Sequence, residues 1–327
     1  MAKTFQMVIW ITMVLLPISP IFSANYYWVG GSGNWSDITH WATTSGGTVF
    51  HNVIPSANDD VFFDSNSFTG PNQEIIVENQ IIFSRSLNWA DVTNNPIFSS
   101  FNGASLNIYG SLILSPDMTF NFTGSLNFRS ESPGNTLQTA GHTIVGQVVF
   151  DGIGGGWVQV GPITTESFFQ IKNGDYQTQD FDLEVWSLQV LNSFFLKEVD
   201  FGSSLLTVTG TTSGDFKNVV YLENYNQQIK NSTATLFLTG ENPYIRYYAD
   251  QELEFDALKM INSDGTLTYE GVQELGEEKL VFRESTLDKN ALFLSNLDLG
   301  ACTVSEGKTI YFNGGSKYYF NTITTLG

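Results

Sequence analysis

The chain has 327 residues, of which 33 are acidic and 14 are basic, so its formal net charge is −19. A chain this acidic is repelled by the phosphate backbone of nucleic acids and by anionic membrane surfaces, and we expect neither as a partner. The length allows one elongated domain or two compact ones, and the single cysteine excludes an intrachain disulfide.

Residues 1–24 have the pattern of a cleavable export signal. Lys3 supplies a positive charge, Met7 to Leu16 form a short apolar run, and two prolines follow it. Phe22-Ser23-Ala24 ends in a small residue, which predicts cleavage after Ala24. The alternative is a membrane anchor, but the apolar run is shorter than the about 20 residues that a spanning helix needs. We therefore predict a secreted or outer-surface protein with no transmembrane segment after cleavage.

Residues 25–70 are rich in aromatic residues and glycines, and we expect them to cap the N-terminal end of the fold. Trp28, Trp35 and Trp41 are separated by glycines that allow tight turns. This pattern favours a compact aromatic plug that seals the core from water. A sugar-binding aromatic platform is the alternative.

A cluster of oxygen-bearing side chains follows at Asn58, Asp59, Asp60 and Asp64. Calcium binds about six to eight oxygen ligands, so these residues are a candidate for part of a calcium site. The competing interpretation is a turn, in which Asn and Asp side chains cap backbone groups before a strand. We expect no other cofactor, because the three histidines of the chain are scattered and do not have the spacing of a zinc site.

From residue 71 to residue 327, short runs of β-branched and aromatic residues alternate with polar residues and stop at Gly, Asn or Asp. Even Glu252–Met260, the best helix candidate, alternates in this way and is predicted to be a strand. A loose unit, apolar-x-apolar-x-Gly, recurs without a fixed period and ends at Gly110, Gly124, Gly210, Gly240, Gly271 and Gly314.

These recurring units predict an all-β solenoid. One short strand cannot bury its inward side chains alone, whereas stacked coils pair their strands in parallel and build a continuous apolar column. Cys302 lies in an apolar run and is predicted to be a small buried residue of this column rather than a nucleophile. The alternative architecture is a set of antiparallel β-sandwich modules.

Several short segments of the opening are specific in combination. They are Tyr27-Trp28-Val29-Gly30-Gly31, Gly33-Asn34-Trp35-Ser36-Asp37, His40-Trp41 and Asn58-Asp59-Asp60-Val61-Phe62-Phe63-Asp64. In these segments the chain resembles the large secreted repeat proteins of Bacteroidetes-type bacteria, and residues 312–319 (FNGGSKYY) are similar to the internal repeats of those proteins.

The resemblance implies a right-handed parallel β-helix at the cell surface, often within a longer polypeptide that is exported by the type IX secretion route. Proteins of this kind commonly carry a C-terminal sorting domain, and no such domain is recognised before Gly327. We therefore expect the solenoid of residues 71–327 to be incomplete at its C-terminus.

The leading functional hypothesis is a non-catalytic extracellular scaffold, or adhesin-like module, that contacts glycans or surface proteins. Exposed aromatic side chains can stack on sugars, and Tyr244, Tyr247 and Tyr248 beside Arg246 are the candidates for this contact. The same tyrosines are also compatible with ordinary strand packing on one side.

The alternative hypothesis is a carbohydrate-active β-helix enzyme, either a polysaccharide lyase or a glycoside hydrolase. Glycoside hydrolysis commonly uses a pair of carboxyl groups that flank the bond to be cut. Asp180, Asp182 and Glu184 alternate in sequence, which would place three acids on one face of a strand. An acidic outward face is also what a solenoid presents to water, and we expect no catalysis.

Overall fold

The computed structural model describes residues 23–78, 80–101, 103–212, 219–226, 228–261, 264–271 and 279–326. The predicted export signal therefore lies almost entirely outside the described residues. Within these ranges the chain forms 33 short β-strands and one 3-10 helix, Ile38–His40. None of the helical structure in these ranges is long and apolar enough to cross a membrane.

The strands follow one another at short intervals along the whole described chain. The first half comprises β1 (Asn25–Trp28), β2 (Gly33–Asn34), β3 (Trp41–Ala42), β4 (Asp60–Phe62), β5 (Glu74–Val77), β6 (Ile81–Ser84), β7 (Leu87–Asn88), β8 (Ile97–Ser100), β9 (Ser105–Ile108), β10 (Leu112–Ile113), β11 (Thr119–Asn121), β12 (Ser125–Phe128), β13 (Asn135–Gln138), β14 (Thr143–Ile144), β15 (Val148–Gln159) and β16 (Ile163–Thr165). The second half comprises β17 (Phe168–Gln177), β18 (Leu183–Val185), β19 (Ser187–Val190), β20 (Val199–Asp200), β21 (Leu205–Val208), β22 (Val220–Asn224), β23 (Thr235–Leu238), β24 (Tyr244–Ala249), β25 (Leu253–Met260), β26 (Thr266–Gly271), β27 (Leu280–Leu287), β28 (Asn290–Phe293), β29 (Leu297–Asp298), β30 (Ala301–Val304), β31 (Ile310–Phe312), β32 (Tyr318–Tyr319) and β33 (Thr322–Thr325).

The strands form a parallel β-solenoid of about 11 coils, where one coil is one turn of the chain around the core. One sheet of 18 strands runs from β1 to β31, a sheet of four contains β2, β5, β8 and β11, and a sheet of 11 begins at β14. Among the named strands, every pairing except that of β1 with β3 is parallel. The prediction of an all-β solenoid is confirmed, and the antiparallel sandwich alternative is wrong. The hand of the coil stays a prediction.

One stacked column of paired inward residues runs along the core of the large sheet. Strand alternation turns every second side chain inward, and stacking places these side chains one above the other. In coil order the column contains Ile82, Leu106, Leu126, Val148, Phe169, Leu188, Val220, Ile245, Tyr269, Phe293 and Phe312. All of them are buried except Phe312 in the last coil, which is 47% exposed.

A second column supports the opposite sheet. It contains Ile163, Leu183, Leu206, Leu236, Leu258, Ser285, Cys302 and Ile323. Cys302 is buried in this column, as the sequence predicted. Burial of each large apolar side chain contributes about 1.5–3 kcal/mol, so stacked columns of this kind stabilise the solenoid along its axis. The predicted strand Glu252–Met260 is also confirmed, as β25.

Glycines allow close approach of consecutive coils at the corners. A Cβ atom placed on Gly146 would lie 1.8 Å from the carbonyl oxygen of Gly124 in the coil before it, and one on Gly240 would lie 1.8 Å from that of Gly210. Neither glycine has a positive φ angle, so a larger residue is excluded there by the lack of space and not by the backbone conformation. Among the glycines of the recurring unit, Gly124, Gly210 and Gly240 lie at corners that exclude a Cβ atom, whereas Gly314 has open space around its Cβ position.

Candidate functional site

An aromatic cluster lies at the N-terminal end of the solenoid. Trp28, Trp35 and Trp41 are all buried, and the ring of Trp41 meets those of Trp28 and Trp35 edge-on at 4.9 and 4.8 Å. Edge-to-face contacts of this kind stabilise aromatic pairs beyond the burial of their surface. Because the rings are buried, they are not available as a sugar-binding platform.

Two of the three indole N–H groups of this cluster bind the backbone, whereas that of Trp35 has no hydrogen-bond partner among the described residues. Trp28 Nε1 donates to the carbonyl of Gly31 at 2.7 Å, and Trp41 Nε1 donates to that of Trp35 at 2.9 Å. The ring of His40 stacks on Trp28 with 4.4 Å between centroids. A Cβ atom on Gly33 would lie 2.2 Å from His40 Nε2, so this glycine makes room for the stacked histidine.

The predicted calcium residues have separate structural partners. Asp59 is buried, and its carboxylate accepts hydrogen bonds from the backbone N–H of Ala24 and from the N–H and hydroxyl of Ser56. The next side chain, Asp60, points the other way and forms an ion pair with Arg85, whose Nε donates to Asp60 Oδ1 at 2.7 Å. Neighbouring residues on one strand face opposite sides, which separates the two carboxylates.

The remaining two predicted ligands lie in turns. Asp64 accepts from the backbone N–H of Asn66 at 2.9 Å, and Asn58 lies at the surface, where its N–H donates to the Ser56 hydroxyl. Among the described residues, no group of three or more His, Cys, Asp or Glu side chains is placed to hold a metal ion. The contacts of these four residues match the turn interpretation, and a calcium site at this place stays a prediction.

The three acids of the enzyme hypothesis do not share a strand. Only Glu184 lies in β18, whereas Asp180 and Asp182 belong to the turn before it. The expectation that they alternate along one strand is wrong, because Gln179 and Asp180 have positive φ angles of 53° and 63° that reverse the chain.

Two of these acids bind the backbone of the next coil. Asp180 Oδ1 accepts from the N–H of Ser203 at 2.7 Å, and Asp182 Oδ1 accepts from the N–H of Leu205 at 3.1 Å. Asp180 also lines an open surface depression of about 420 Å³ together with Asp200 and Arg283. Asp182 and Glu184 are not among the residues that line it.

The same kind of contact recurs at other corners. A side-chain oxygen just before or at the start of a strand accepts the backbone N–H at the matching position of a neighbouring coil. Further examples, with the accepting side chain first and the donating residue second, are Asn231 and Glu254, Asn242 and Thr266, Asn290 and Thr309, and Asn296 and Lys317. Asp175, near the end of β17, accepts in the same way from the N–H of Glu198. These Asp and Asn residues satisfy backbone groups that the strand ladder leaves open, which is a structural role.

The outward face of the large sheet carries an aromatic and charged patch. Tyr244, Arg246 and Tyr248 alternate along β24 and point outward, whereas Tyr247 points inward and is buried. Tyr247 is therefore not part of the surface that we expected it to share with the other two tyrosines. Its hydroxyl donates to the carbonyl of Gln251 at 2.6 Å.

Neighbouring coils complete this surface, which we call the tyrosine patch. Its members are Tyr221, Glu223, Tyr244, Arg246, Tyr248 and Glu270, from β22, β24 and β26. The register pairs Tyr221 with Arg246 and Arg246 with Glu270, so the side chains form a continuous row across three coils. The sequence alone did not identify Tyr221, Glu223 and Glu270, because they join β24 only through the register of neighbouring coils.

Hydrogen bonds hold the side chains of the patch in place. Glu270 Oε2 accepts from the Tyr244 hydroxyl at 2.6 Å and from Arg246 Nε at 3.1 Å. The Tyr221 hydroxyl donates to Glu223 Oε1 at 2.7 Å, and the ring of Tyr221 meets that of Tyr248 edge-on at 5.5 Å. Partial burial, followed by the hydrogen bond to Glu270, raises the pKa of Tyr244 to about 12. The patch is therefore a preorganised, half-buried surface in which the hydroxyl of Tyr244 stays protonated at neutral pH.

An exposed apolar loop adjoins the tyrosine patch. Phe194, Phe195 and Leu196 are 103%, 50% and 93% exposed. The loop is anchored at both ends, because Glu223 Oε2 accepts from the backbone N–H of Asn192 and the buried Lys197 ammonium donates to backbone carbonyls that include that of Ile171. Glu223 thus connects the loop to the tyrosine patch.

Comparison with protein-family models, with curated proteins and with solved structures found no match for this chain. The solenoid fold is established by the structure, whereas the resemblance to secreted bacterial repeat proteins stays a prediction from the sequence.

Proposed function

We propose that this chain is a non-catalytic extracellular scaffold, adhesin-like in character, that contacts neutral glycans through the tyrosine patch. The predicted export signal supports an extracellular or outer-surface location. The single observation that carries the proposal is the row of outward tyrosines with Arg246 and Glu270 across three coils.

The chemistry of the patch suits sugars. Aromatic side chains present an apolar ring beside a polar hydroxyl, and sugars present apolar C–H faces beside hydroxyl groups. Arg246 and Glu270 add a fixed donor and a fixed acceptor next to the rings. The net charge of −19 repels acidic polysaccharides, so uncharged glycans are the class that fits.

The apolar loop beside the patch supports contact with surface proteins as well. Contiguous exposed apolar side chains are uncommon on a soluble surface and mark interaction sites. Phe194 and Leu196 are fully solvated at the tip, and their burial against a partner would be favourable. We propose that the loop and the tyrosine patch form one contact surface.

Binding to an array of neutral and acidic glycans tests this proposal. We expect binding to neutral glycans that is lost in a Tyr221→Ala, Tyr248→Ala double variant. Tyr311→Ala is the matched control, because Tyr311 is 59% exposed on the same sheet but outside the patch, and its removal should leave binding unchanged. Absence of binding to every glycan, or equal binding by the patch variant and wild type, would refute the proposal.

A carbohydrate-active enzyme is the second candidate function. The depression that contains Asp180, Asp200 and Arg283 is the observation in its favour, since it places two acids and a base in one concavity. Against it, Asp180 already binds the Ser203 backbone, and Arg283 pairs with Glu254. Release of reducing ends or unsaturated sugars from a polysaccharide panel, abolished by Asp180→Asn and Asp200→Asn, would favour the enzyme over the scaffold.

A further inference from the structure

The backbone of Ala24 is integrated into the first coil. Its N–H donates to Asp59 Oδ1 at 2.9 Å, and its carbonyl accepts from the N–H of Asp60 at 3.0 Å. These two contacts continue the parallel pairing of β1 with β4, in which Asn25 lies opposite Asp60. Ala24 is therefore part of the folded structure, whereas Ser23 before it is exposed.

The Asp59 carboxylate has no cationic partner among the described residues. It is 7% exposed, and its other donors are the N–H and hydroxyl of Ser56, at 2.9 and 2.6 Å. The nearby guanidinium of Arg85 is bound to Asp60 instead. Burial of a carboxylate without an opposite charge is costly, and the group that touches Asp59 Oδ1 is the Ala24 nitrogen.

We propose that the chain is processed between Ser23 and Ala24, and that the new α-ammonium of Ala24 forms a buried ion pair with Asp59. Hydrolysis by an endopeptidase that cuts behind small residues adds water across this peptide bond. Ser23 leaves with a carboxylate, and Ala24 keeps the amine, which takes up a proton at neutral pH. Signal cleavage requires a small residue before the cut, and Ser23 meets this requirement as well as Ala24 does.

The structure distinguishes this position from the cut after Ala24 that the sequence alone predicts. Removal of Ala24 would take away one donor to Asp59 and the acceptor of the Asp60 N–H. A cut before Ala24 keeps both contacts and replaces a neutral donor by a charged one. The acceptor is already a carboxylate, so the new charge adds a Coulombic attraction between opposite charges at hydrogen-bond distance.

The test compares chains that begin at Ala24, released from an N-terminal fusion, with a free or an acetylated amine. Acetylation keeps one N–H donor but removes the charge. We expect acetylation to lower the equilibrium constant for folding at least tenfold when Asp59 is present, and less than twofold in Asp59→Asn. An equal effect of acetylation in both backgrounds would overturn the ion pair.

Two further measurements keep the proposal testable if Asp59→Asn does not fold. A chain that begins at Ser23 has its charge one residue away from Asp59, and we expect it to be no more stable than the acetylated chain; stability equal to that of the free Ala24 chain would overturn the proposal. The mass of the protein exported with its own leader should correspond to a start at Ala24. A start at Asn25, or an uncut leader, would also overturn it.

Discussion

The stacking of corner glycines makes a sharp prediction for Gly146→Ala. An ideal Cβ at this position lies 1.8 Å from the carbonyl oxygen of Gly124, whereas real Cβ atoms stay at least 3.0 Å from such an atom. The two coils must therefore separate locally by more than about 1 Å. The adjacent ladder bond from the N–H of Leu126 to the carbonyl of Gln147 is 2.9 Å long and would not survive this separation.

The expected cost follows from these two effects. Loss of one or two backbone hydrogen bonds costs about 1 kcal/mol each, and forced displacement in a packed interior adds about 1–3 kcal/mol. We expect Gly146→Ala to lower the free energy of unfolding by about 2–5 kcal/mol. Gly240→Ala should behave in the same way, because its Cβ would meet Gly210 at the same distance.

Two other glycines provide matched controls for this experiment. Gly70 has open space around its Cβ position and no positive φ, so Gly70→Ala should be neutral or stabilise by up to about 1 kcal/mol through the unfolded chain. Gly271→Ala should be intermediate, because its nearest backbone atom is 3.2 Å away. Urea unfolding followed by circular dichroism measures all four variants. Unfolding of Gly146→Ala at the same urea concentration as Gly70→Ala would refute the steric argument.

Three further outcomes are expected. Burial lowers the pKa of Lys197 to about 8, so above this pH the folded protein has lost a proton that the unfolded chain still holds. The free energy of unfolding should therefore rise by about 2 kcal/mol from pH 8 to pH 10, and Lys197→Met should remove most of this rise. Burial raises the pKa of Cys302 to about 11, so a thiol reagent at pH 8 should label it only after denaturation, and rapid labelling of the native protein would contradict its burial. Trp41→Ala should lower the free energy of unfolding by about 3–5 kcal/mol in urea titrations, because its ring contacts both Trp28 and Trp35; a loss below 1 kcal/mol would argue against the aromatic plug.

The fold was predictable because the alternation of apolar and polar residues and the glycines at coil corners are local features of the sequence. Runs such as Ser105–Ile108 and Leu205–Val208 alternate apolar and polar residues and end near a glycine, and each became a strand that adds to the stack. The exact pairing was not predictable, because the coils differ in length. Leu126 pairs with Val148, whereas Leu206 pairs with Leu236, and no fixed period in the sequence could have given both registers.

The candidate site was predictable only in part. Tyr244 and Tyr248 were recognisable as an aromatic pair around Arg246, but Tyr221 and Glu270 join them only through coil register. The acids Asp180 and Asp182 were misplaced for a related reason. Acidic side chains that bind the backbone of the next coil look the same in sequence as the carboxylates of a catalytic cluster. Their binding partners lie one coil further along the chain, so the sequence alone does not reveal this structural role.

The order in which strands of successive coils pair also determines which insertions and deletions the fold can tolerate. Leu126 lies between Leu106 and Val148, so removal of residues 126–147 would bring Val148 directly beneath Leu106 and leave the order of neighbours intact. Deletion of one residue within a strand would instead turn its apolar side chains to the solvent. Length variation in this chain should therefore occur in whole coils, each inserted or lost as a unit.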